Sequence, residues 1–294
     1  MTRLKRAVAL LLPPIVVTAL RRLLRWVRGA RSQGAGSSFL DGTVEWEVVP
    51  ESEWTTTDGW SHPSVVKMQT DKWPGFLASI QRPLPLGVSH EAPAGAPVDV
   101  SAHNTILTFG YVLGRAAAGR TALSVLDWGG GIGQYAAYAH MLHPQLQLDY
   151  VVKDLPAAVE AGRELVPMAA FVSDDEQALG RSYDLVFASS SLQYHRDVYG
   201  CLNRLCESAA GWLMVTRTPF VDQADDFVVV QRPHRYGYLT EYTGWFLNRQ
   251  RFEAAMNGQG FELEREFLLD ERPYVPNAPE QCTYRGFLFK RRPE

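Results

Sequence analysis

An acidic residue followed closely by clustered glycines is the feature of this 294-residue sequence best suited to ligand chemistry. Asp127 ends the apolar segment 123–126, and four of the five residues at 129–133 are glycine. The segment 134–142 that follows has helical character. Glycine is needed where the backbone turns at positive φ or where a ligand must approach the main chain. Strand, glycine turn and helix in succession therefore predict the first βα unit of an open α/β sheet.

The position of the acid separates two classes of cofactor. The run from Gly131 to Ala136 fits G-x-G-x-x-A, the dinucleotide pattern in which a pyrophosphate lies on the helix N-terminus. Asp127 would repel that pyrophosphate and suits a phosphate-free ligand with a cationic end. Glycines that serve the geometry of the turn alone are the other interpretation. The acid and its turn resemble the first motif of class I S-adenosylmethionine-dependent methyltransferases, on Gly129, Gly131 and Gly133 with Gly130 between them.

The resemblance implies further cofactor-binding residues at the carboxyl ends of the next strands, where ligands of such sheets bind. After the second strand, Asp154 is expected to accept hydrogen bonds from the ribose hydroxyls and Leu155 to lie on the adenine. Asp174, after the third strand, would accept from the adenine amino group, and Ser189, after the fourth, leaves room for the cofactor. Helix capping is the alternative role for Asp154 and Asp174.

Three further residues are candidates for catalysis on the acceptor. His195 follows the fourth strand and His234 lies in the stretch 217–246, and a histidine can act as general base because its pKa lies near the operating pH. Packing or capping at the start of the next helix is the alternative for His195. Arg217, at the end of the fifth strand, suits an anionic or hydroxyl-rich acceptor. No carboxylate cluster demands a metal ion.

Several short segments together resemble a bacterial family of methyltransferases that is associated with surface-polysaccharide gene clusters. The resemblance implies S-adenosylmethionine as cofactor and a sugar-containing or lipid-linked acceptor. Trp128 departs from the broader class, in which a smaller or flatter residue is common at that position. The segments that carry the resemblance are LLPPI at 11–15, LDWGG at 126–130, SSSLQY at 189–194, RTPF at 217–220, GWF at 244–246 and YRGFLF at 284–289.

Charge and cysteine usage exclude some classes of protein. Residues 1–31 carry eight basic and no acidic residues, so within a net charge of −3 the rest of the chain carries −11. An acidic body is a poor nucleic-acid binder. The basic segment has too short an apolar run to span a membrane, and we expect a helix on an anionic membrane surface or one docked on the acidic body. Three cysteines without C-x-x-C spacing predict a reducing, cytoplasmic location and no zinc site.

These residues require a regular framework, and the hydrophobic pattern supplies one. It predicts an α/β, Rossmann-like fold with a seven-stranded, mostly parallel sheet, an antiparallel C-terminal hairpin and helices on both faces. Strands are expected at 122–127, 148–153, 169–172, 183–188, 211–216, 261–268 and 284–290. Helices are expected at 99–120, 132–142, 155–165, 196–208 and 248–257, with a helical turn from 175.

Domain organisation follows from these elements. Residues 32–98 form a linker and an aromatic-rich accessory segment with short helical pieces at 64–68 and 75–79, and a loop at 82–98. Residues 99–294 form the Rossmann-like domain, in which the irregular insert 217–246 sets acceptor specificity. The function this predicts is S-adenosylmethionine-dependent O-methylation. The alternatives are a nicotinamide-dependent oxidoreductase of sugars and a non-catalytic membrane-surface protein that retains the fold.

Overall fold

The computed structural model describes residues 44–54, 58–83, 85–86, 99–234 and 237–293 of the chain. The basic segment 1–31, the linker after it and most of the loop predicted at 82–98 lie outside these residues, so the membrane-surface prediction is not tested. Within the described part, no helix combines the length and apolar character needed to cross a membrane.

The described residues form ten strands, of which seven make the predicted core sheet. These strands are β1 (Trp46–Val49), β2 (Ala122–Trp128), β3 (Gln147–Lys153), β4 (Ala170–Val172), β5 (Tyr183–Ser189), β6 (Ala209–Val221), β7 (Phe227–Gln231), β8 (Tyr242–Asn248), β9 (Phe261–Leu268) and β10 (Thr283–Arg291). The core order is β4-β3-β2-β5-β6-β10-β9. Strands β2 to β6 are parallel within it, whereas β10 is antiparallel to both β6 and β9. The predicted Rossmann-like sheet with its antiparallel C-terminal hairpin is confirmed.

Helices cover both faces of this sheet. They are α1 (Pro63–Ile80), α2 (Val100–Ala116), α3 (Gln134–Leu142), α4 (Pro156–Leu165), α5 (Asp175–Leu179), α6 (Val198–Ser208) and α7 (Arg249–Gly258). Successive strand residues point to opposite faces, so Val125 joins the core under α1 to α4 while Leu126 joins the core under α5 to α7. By the same alternation Asp127 faces the first core and Trp128 the second. The large Trp128 side chain, at a position where a smaller or flatter residue was expected, therefore lies on the opposite side of the sheet from Asp127.

The stretch 217–246 is not irregular, and that prediction is wrong. Strand β6 continues to Val221, past the end of β5, and β8 pairs parallel with its last residues. Strands β7 and β1 then add antiparallel pairs to β8. A second, smaller sheet of β6, β8, β7 and β1 thus stands beyond the carboxyl end of β5. The run of valines at 228–230, whose β-branched side chains favour a strand, explains why this segment is extended.

The accessory segment also differs from expectation. One helix, α1, replaces the two short helical pieces, because a single buried stripe of Val65, Gln69, Trp73, Phe76 and Ile80 runs through Pro74 at helical spacing. The segment otherwise supplies β1 to the second sheet. The helix predicted at 99–120 is confirmed as α2, shorter at its C-terminal end.

Candidate functional site

Pairing register aligns several of the predicted site residues along one edge of the core sheet. Trp128 lies opposite Lys153 of β3 and Ala188 of β5, and Ser189 lies opposite Thr216 of β6. The residues that follow these strand ends therefore meet at the carboxyl edge, next to the point between β2 and β5 where the strand order reverses. Open α/β sheets bind their ligands at such a point.

The glycine turn after β2 has a backbone that side chains would obstruct. Gly129, Gly131 and Gly133 have φ values of 73°, 60° and 95°. A Cβ on Gly129 would lie 2.3 Å from the Cβ of Ser191, and one on Gly133 would lie 2.8 Å from the ring of Phe171. The turn is therefore a fixed, close-packed backbone surface that leads directly into α3.

Asp127 lies beneath this turn, with 1% of its surface exposed. The Tyr150 hydroxyl donates to its Oδ2 at 3.1 Å, and its Oδ1 has no hydrogen-bond partner among the described residues. A Cβ on Gly130 would lie 2.5 Å from Oδ2, so glycine is required there for the backbone to pass over the carboxyl group. Burial, with a smaller contribution from the charge of Asp154, raises the pKa of Asp127 to about 8, although the Tyr150 bond lowers it.

Asp154 ties the glycine turn to the end of β3. Its Oδ2 accepts from the Gly131 N–H at 2.7 Å, and its Oδ1 accepts from the Leu155 N–H at 2.7 Å. It does not cap α4, because the N-cap residue is Leu155 and no side chain bonds the first turn. Burial raises the pKa of Asp154, although the two backbone hydrogen bonds and the charge of Lys153 lower it. Its role at the ribose stays a prediction.

These two acids give the site a clear electrostatic character. A pyrophosphate on the turn would meet two carboxyl groups, those of Asp127 and Asp154. It would also find the Gly131 N–H, a donor that such a ligand needs, already bonded to a carboxylate. A cationic group would instead find an oxygen of Asp127 to which no described residue is bonded. The residues present therefore fit a cationic, phosphate-free ligand better than a dinucleotide.

Asp174 caps the N-terminus of α5, which was the alternative to its predicted role at the adenine. Its side chain is exposed and accepts from the Gln177 N–H at 2.7 Å, at the N-cap of α5. Nothing in this contact tests the predicted bond to an adenine amino group.

Ser189, at the end of β5, is buried and bonded to the first turn of α3. The Tyr135 hydroxyl lies 3.0 Å from its Oγ. Tyr135 is partly buried, and this burial raises its pKa, while the positive charge of Arg217 lowers it. Ser189 thus lies close to the helix that follows the glycine turn, and its role beside a cofactor stays a prediction.

His195 is held on the other face of the sheet, against Trp128. The indole Nε1–H donates to His195 Nε2 at 2.9 Å, and burial, followed by the nearby charge of Lys153, lowers the pKa of His195 to about 4. Because the indole is always a donor, Nε2 must be the unprotonated nitrogen and its lone pair is used. This geometry favours the packing role of His195 over the predicted role as general base.

Arg217 occupies an unusual position within β6. Its φ is 51°, and β6 has one more residue than β10 between Thr218 and Val215, so Arg217 lies in a β-bulge. The guanidinium donates to both carboxylate oxygens of Glu271, at 3.2 and 3.4 Å. The charges of this ion pair act on Tyr135 in opposite directions, because Arg217 lowers the pKa of Tyr135 and Glu271 raises it.

The second sheet borders a recess beside Arg217. The recess is small, with a volume of about 10 Å³ or roughly one water molecule, and is lined by Trp46, Gln193, Tyr194, Pro219, Val229, Gln231, Tyr242, Gly244, Trp245, Phe246 and Tyr284. Gln193 joins the recess to β6, because the Gln193 amide donates to the Arg217 carbonyl at 3.3 Å and accepts from the Thr218 hydroxyl at 3.3 Å. His234 is exposed, in the connection between β7 and β8. Residues of the stretch 217–246 supply part of the lining of this recess, and their role in acceptor specificity stays a prediction.

Sequence reasoning missed five polar residues at this edge. Tyr150 was detectable, since it precedes the end of β3 on the same face as Asp127. Gln69 was detectable as a polar residue in the apolar stripe of α1. Gln134 and Tyr135 follow the glycines directly, whereas no sequence signal identified Glu271. Among the described residues, no group of three or more histidine, cysteine or acidic side chains is placed to hold a metal ion.

Comparison with known proteins gives similarity in structure and none in sequence families. No protein-family model matches the chain, and no curated protein matches it. The similarity to the polysaccharide-associated family therefore stays a prediction.

Several solved structures of methyltransferases are similar to the chain. A magnesium protoporphyrin IX methyltransferase from Synechocystis PCC 6803 with bound S-adenosylmethionine is 14% identical, with a TM-score of 0.46, over 77% of this chain and 97% of that one. An S-adenosylmethionine-dependent methyltransferase from Clostridium acetobutylicum ATCC 824 is 12% identical, with a score of 0.44, over 64% and 91%. A sugar N-methyltransferase from Streptoalloteichus sp ATCC 53650 is 17% identical, with a score of 0.42, over 64% and 87%. At such values the assignment of function must rest on the site itself.

Proposed function

We propose that this chain is an S-adenosylmethionine-dependent methyltransferase that acts on an oxygen of a sugar-containing or other small hydroxylic acceptor. One observation carries the proposal: the buried Asp127 carboxyl group has an oxygen without a partner in the described part of the chain, beneath a glycine turn whose Gly131 N–H is already bonded to Asp154. S-adenosylmethionine has an ammonium and a sulfonium and no phosphate, so it satisfies this arrangement, whereas a dinucleotide does not.

The residues that would hold the cofactor follow the edge of the sheet. Asp127 and the glycines 129–133 would hold the methionine end, Asp154 the ribose, and Leu155 and Asp174 the adenine. Ser189 lies beside the turn through its contact with Tyr135. When bound, the cofactor supplies an electrophilic methyl group. The contribution of the protein is mainly to align the acceptor oxygen with that group and to exclude water.

The acceptor side is assigned to the recess of the second sheet and to Arg217. The recess has room for about one water molecule, so a sugar ring would lie over its mouth, with its apolar C–H faces on the aromatic rings and its hydroxyls near the polar groups. The Arg217 guanidinium, held by Glu271, would bind a hydroxyl or an anionic group of the acceptor. Since the His195 lone pair is used by Trp128, we keep His234 as the histidine candidate for the base.

Ligand-induced stabilisation tests the cofactor assignment directly. We expect S-adenosylhomocysteine to raise the unfolding temperature, since a ligand at a hundred times its Kd stabilises the folded state by about 2.7 kcal/mol. NADH is the matched control and should have no effect. Stabilisation by NADH alone would identify the oxidoreductase alternative. The acceptor is identified by mass spectrometry of glycans and lipids from a deletion strain, in which one product should lack a single methyl group. Cofactor binding without transfer to any extract would favour the non-catalytic alternative.

Location at a membrane is a separate proposal, made for residues 1–31. Their eight basic residues and apolar run suit the anionic, cytoplasmic face of a membrane. Sedimentation with vesicles containing an anionic lipid should recover the full chain, and a chain lacking residues 1–31 should remain in the supernatant. Equal recovery of both would contradict the proposal.

A further inference from the structure

We propose that Gln69 of the accessory helix and Gln134 of α3 form a subsite for a zwitterionic α-amino-acid group, the end of the ligand that carries both an ammonium and a carboxylate. This inference rests on the proposed function, because it assigns residues to one end of the same ligand. It extends the cofactor site to a segment outside the Rossmann-like domain.

Helix α1 is placed to deliver Gln69 to the glycine turn. Gln69 lies one helical turn before Trp73 and two before Phe76, on the same buried stripe. The Phe76 ring packs edge-to-face on Tyr138 of α3, with ring centroids 5.2 Å apart. The stripe is thereby anchored on the helix that begins at the turn, and its one amide faces the turn.

Both amides lie against Gly131. A Cβ on Gly131 would be 3.2 Å from Oε1 of Gln134 and 3.5 Å from Oε1 of Gln69. The two residues are 6% and 7% exposed. A side chain at position 131 would therefore fill the space between these amides and the turn.

Each amide also has a buried polar atom that no residue in the described ranges satisfies. Oε1 of Gln69 and Nε2 of Gln134 have no hydrogen-bond partner among the described residues. Leaving a buried polar group unpaired costs free energy, and native structures rarely do so without a reason. Oδ1 of Asp127 is unpartnered at the same turn.

The chemistry of the three unpartnered groups matches one class of ligand. An amide offers donors to a carboxylate and an acceptor to an ammonium, and Asp127 adds a negative charge for the ammonium. A ligand end that carries only a phosphate would satisfy some of these groups and leave the others unpaired, and an apolar end would satisfy none of them. The α-amino-acid end of S-adenosylmethionine satisfies all of them.

The test compares two ligands that differ only at that end. S-adenosylhomocysteine carries the amino-acid group, and 5′-methylthioadenosine has the same nucleoside and thioether without it. Binding of both is measured by isothermal titration calorimetry for the wild type, Gln69→Met and Gln134→Met. Gln81→Met, the same change at the exposed C-terminal end of α1, is the matched control.

We expect Gln69→Met and Gln134→Met each to weaken S-adenosylhomocysteine binding by about tenfold or more, because the hydrogen bond lost is to a charged group. Affinity for 5′-methylthioadenosine should stay within about twofold, and Gln81→Met should change neither. In addition, Gln69→Met should raise the melting temperature of the ligand-free protein by about 2–4 °C, since it removes an unsatisfied buried atom.

Other outcomes would overturn the inference. Equal losses for both ligands, or a lower melting temperature of the ligand-free variants, would show that the amides only support the turn. Unchanged affinity for S-adenosylhomocysteine would show that they do not contact the ligand. If the wild type binds neither ligand, the proposed function itself fails, and that result is distinct from wild-type binding without an effect of the variants.

Discussion

The indole Nε1–H of Trp128 donates a hydrogen bond to Nε2 of His195 across the end of the β2 strand, at 2.9 Å. The Lys153 ammonium lies over the Trp128 ring, 4.3 Å from the ring centroid. Trp128, at the end of β2, therefore has hydrogen-bonding and cation–π partners on the face of the sheet opposite Asp127. The two residues of the Asp127-Trp128 pair serve different sides of the sheet.

The first prediction concerns His195. We expect His195→Gln, whose side-chain oxygen can accept from the indole, to keep the methyl-transfer rate within about tenfold of the wild type, whereas loss of a general base costs about 10²–10⁴. A loss of the larger size would restore His195 as the base. The rate with a saturating acceptor extract is the measurement.

The same histidine predicts an acid-sensitive stability. Its pKa is lowered to about 4 in the folded protein, so between its ordinary value and about 4 the unfolded chain binds more protons. The free energy of unfolding should therefore fall as the pH drops from about 6.5 through 4, by at most about 1.4 kcal/mol per pH unit from this group. In urea titrations across that range, His195→Gln should fall less steeply than the wild type, and parallel curves would contradict the assigned environment.

Asp127 predicts the opposite pH dependence. Its pKa is raised to about 8, so its contribution to stability is present at low pH and is lost as the pH rises through about 8. Asp127→Asn should accordingly make the ligand-free protein more stable at pH 8, by about 1–3 kcal/mol, with a smaller difference at pH 5. The same variant should bind S-adenosylhomocysteine more weakly. Wild-type affinity should increase from pH 6 to 8, because binding an ammonium requires the carboxylate, and the variant should lose that increase.

Asp154→Asn should destabilise the protein although it preserves shape. Both carboxylate oxygens accept backbone N–H groups, from Gly131 and Leu155, so an amide must turn its own NH₂ toward one of them. We expect a loss of about 1–3 kcal/mol in the free energy of unfolding, measured by urea titration. Asp174→Asn is the matched control, because its amide can keep its oxygen on the Gln177 N–H. Equal effects of the two changes would contradict the role of Asp154 as a two-sided acceptor.

The glycine turn allows a comparison between two left-handed positions. Gly129→Ala combines a φ of 73° with a Cβ 2.3 Å from Ser191, whereas Gly119→Ala has a φ of 75° and open space around it. The second change should cost about 1–2 kcal/mol for backbone strain alone, and the first clearly more. Thermal unfolding of both proteins measures the difference. Similar melting temperatures would show that the packing of the turn against Ser191 is looser than the structure has it.

Much of the fold was predictable because its signals are local. Each parallel strand has a continuous apolar run, and Gly129 to Gly133 mark the turn that defines the first βα unit. The three valines of Phe227–Gln231 also predict a strand, but the charged and aromatic residues on either side are typical of an irregular segment. The continuity of α1 across Pro74 depends on packing against the helices α3 and α4, which local propensity does not contain.

Candidate site residues at strand ends could be predicted from the sequence, whereas those that approach from distant segments could not. Strand-end positions indicated Asp127, Asp154 and Ser189, and the register brings them to one edge. Gln69 and Glu271 approach that edge from segments far away in sequence, so only the tertiary structure reveals them. Asp174 is different, because this acid at a strand end accepts a hydrogen bond from the first turn of the helix that follows it.

Strand β6 belongs to two sheets, and its extra residue at Thr216 and Arg217 marks the junction between them. Removing or adding one residue at this junction would leave the β2 to β5 framework in place. It would, however, exchange the inward and outward faces of Thr218, Phe220 and the residues around them, because side chains alternate along a strand. If the proposed function holds, a single indel would therefore reshape the surface assigned to the acceptor and leave in place the residues assigned to the cofactor.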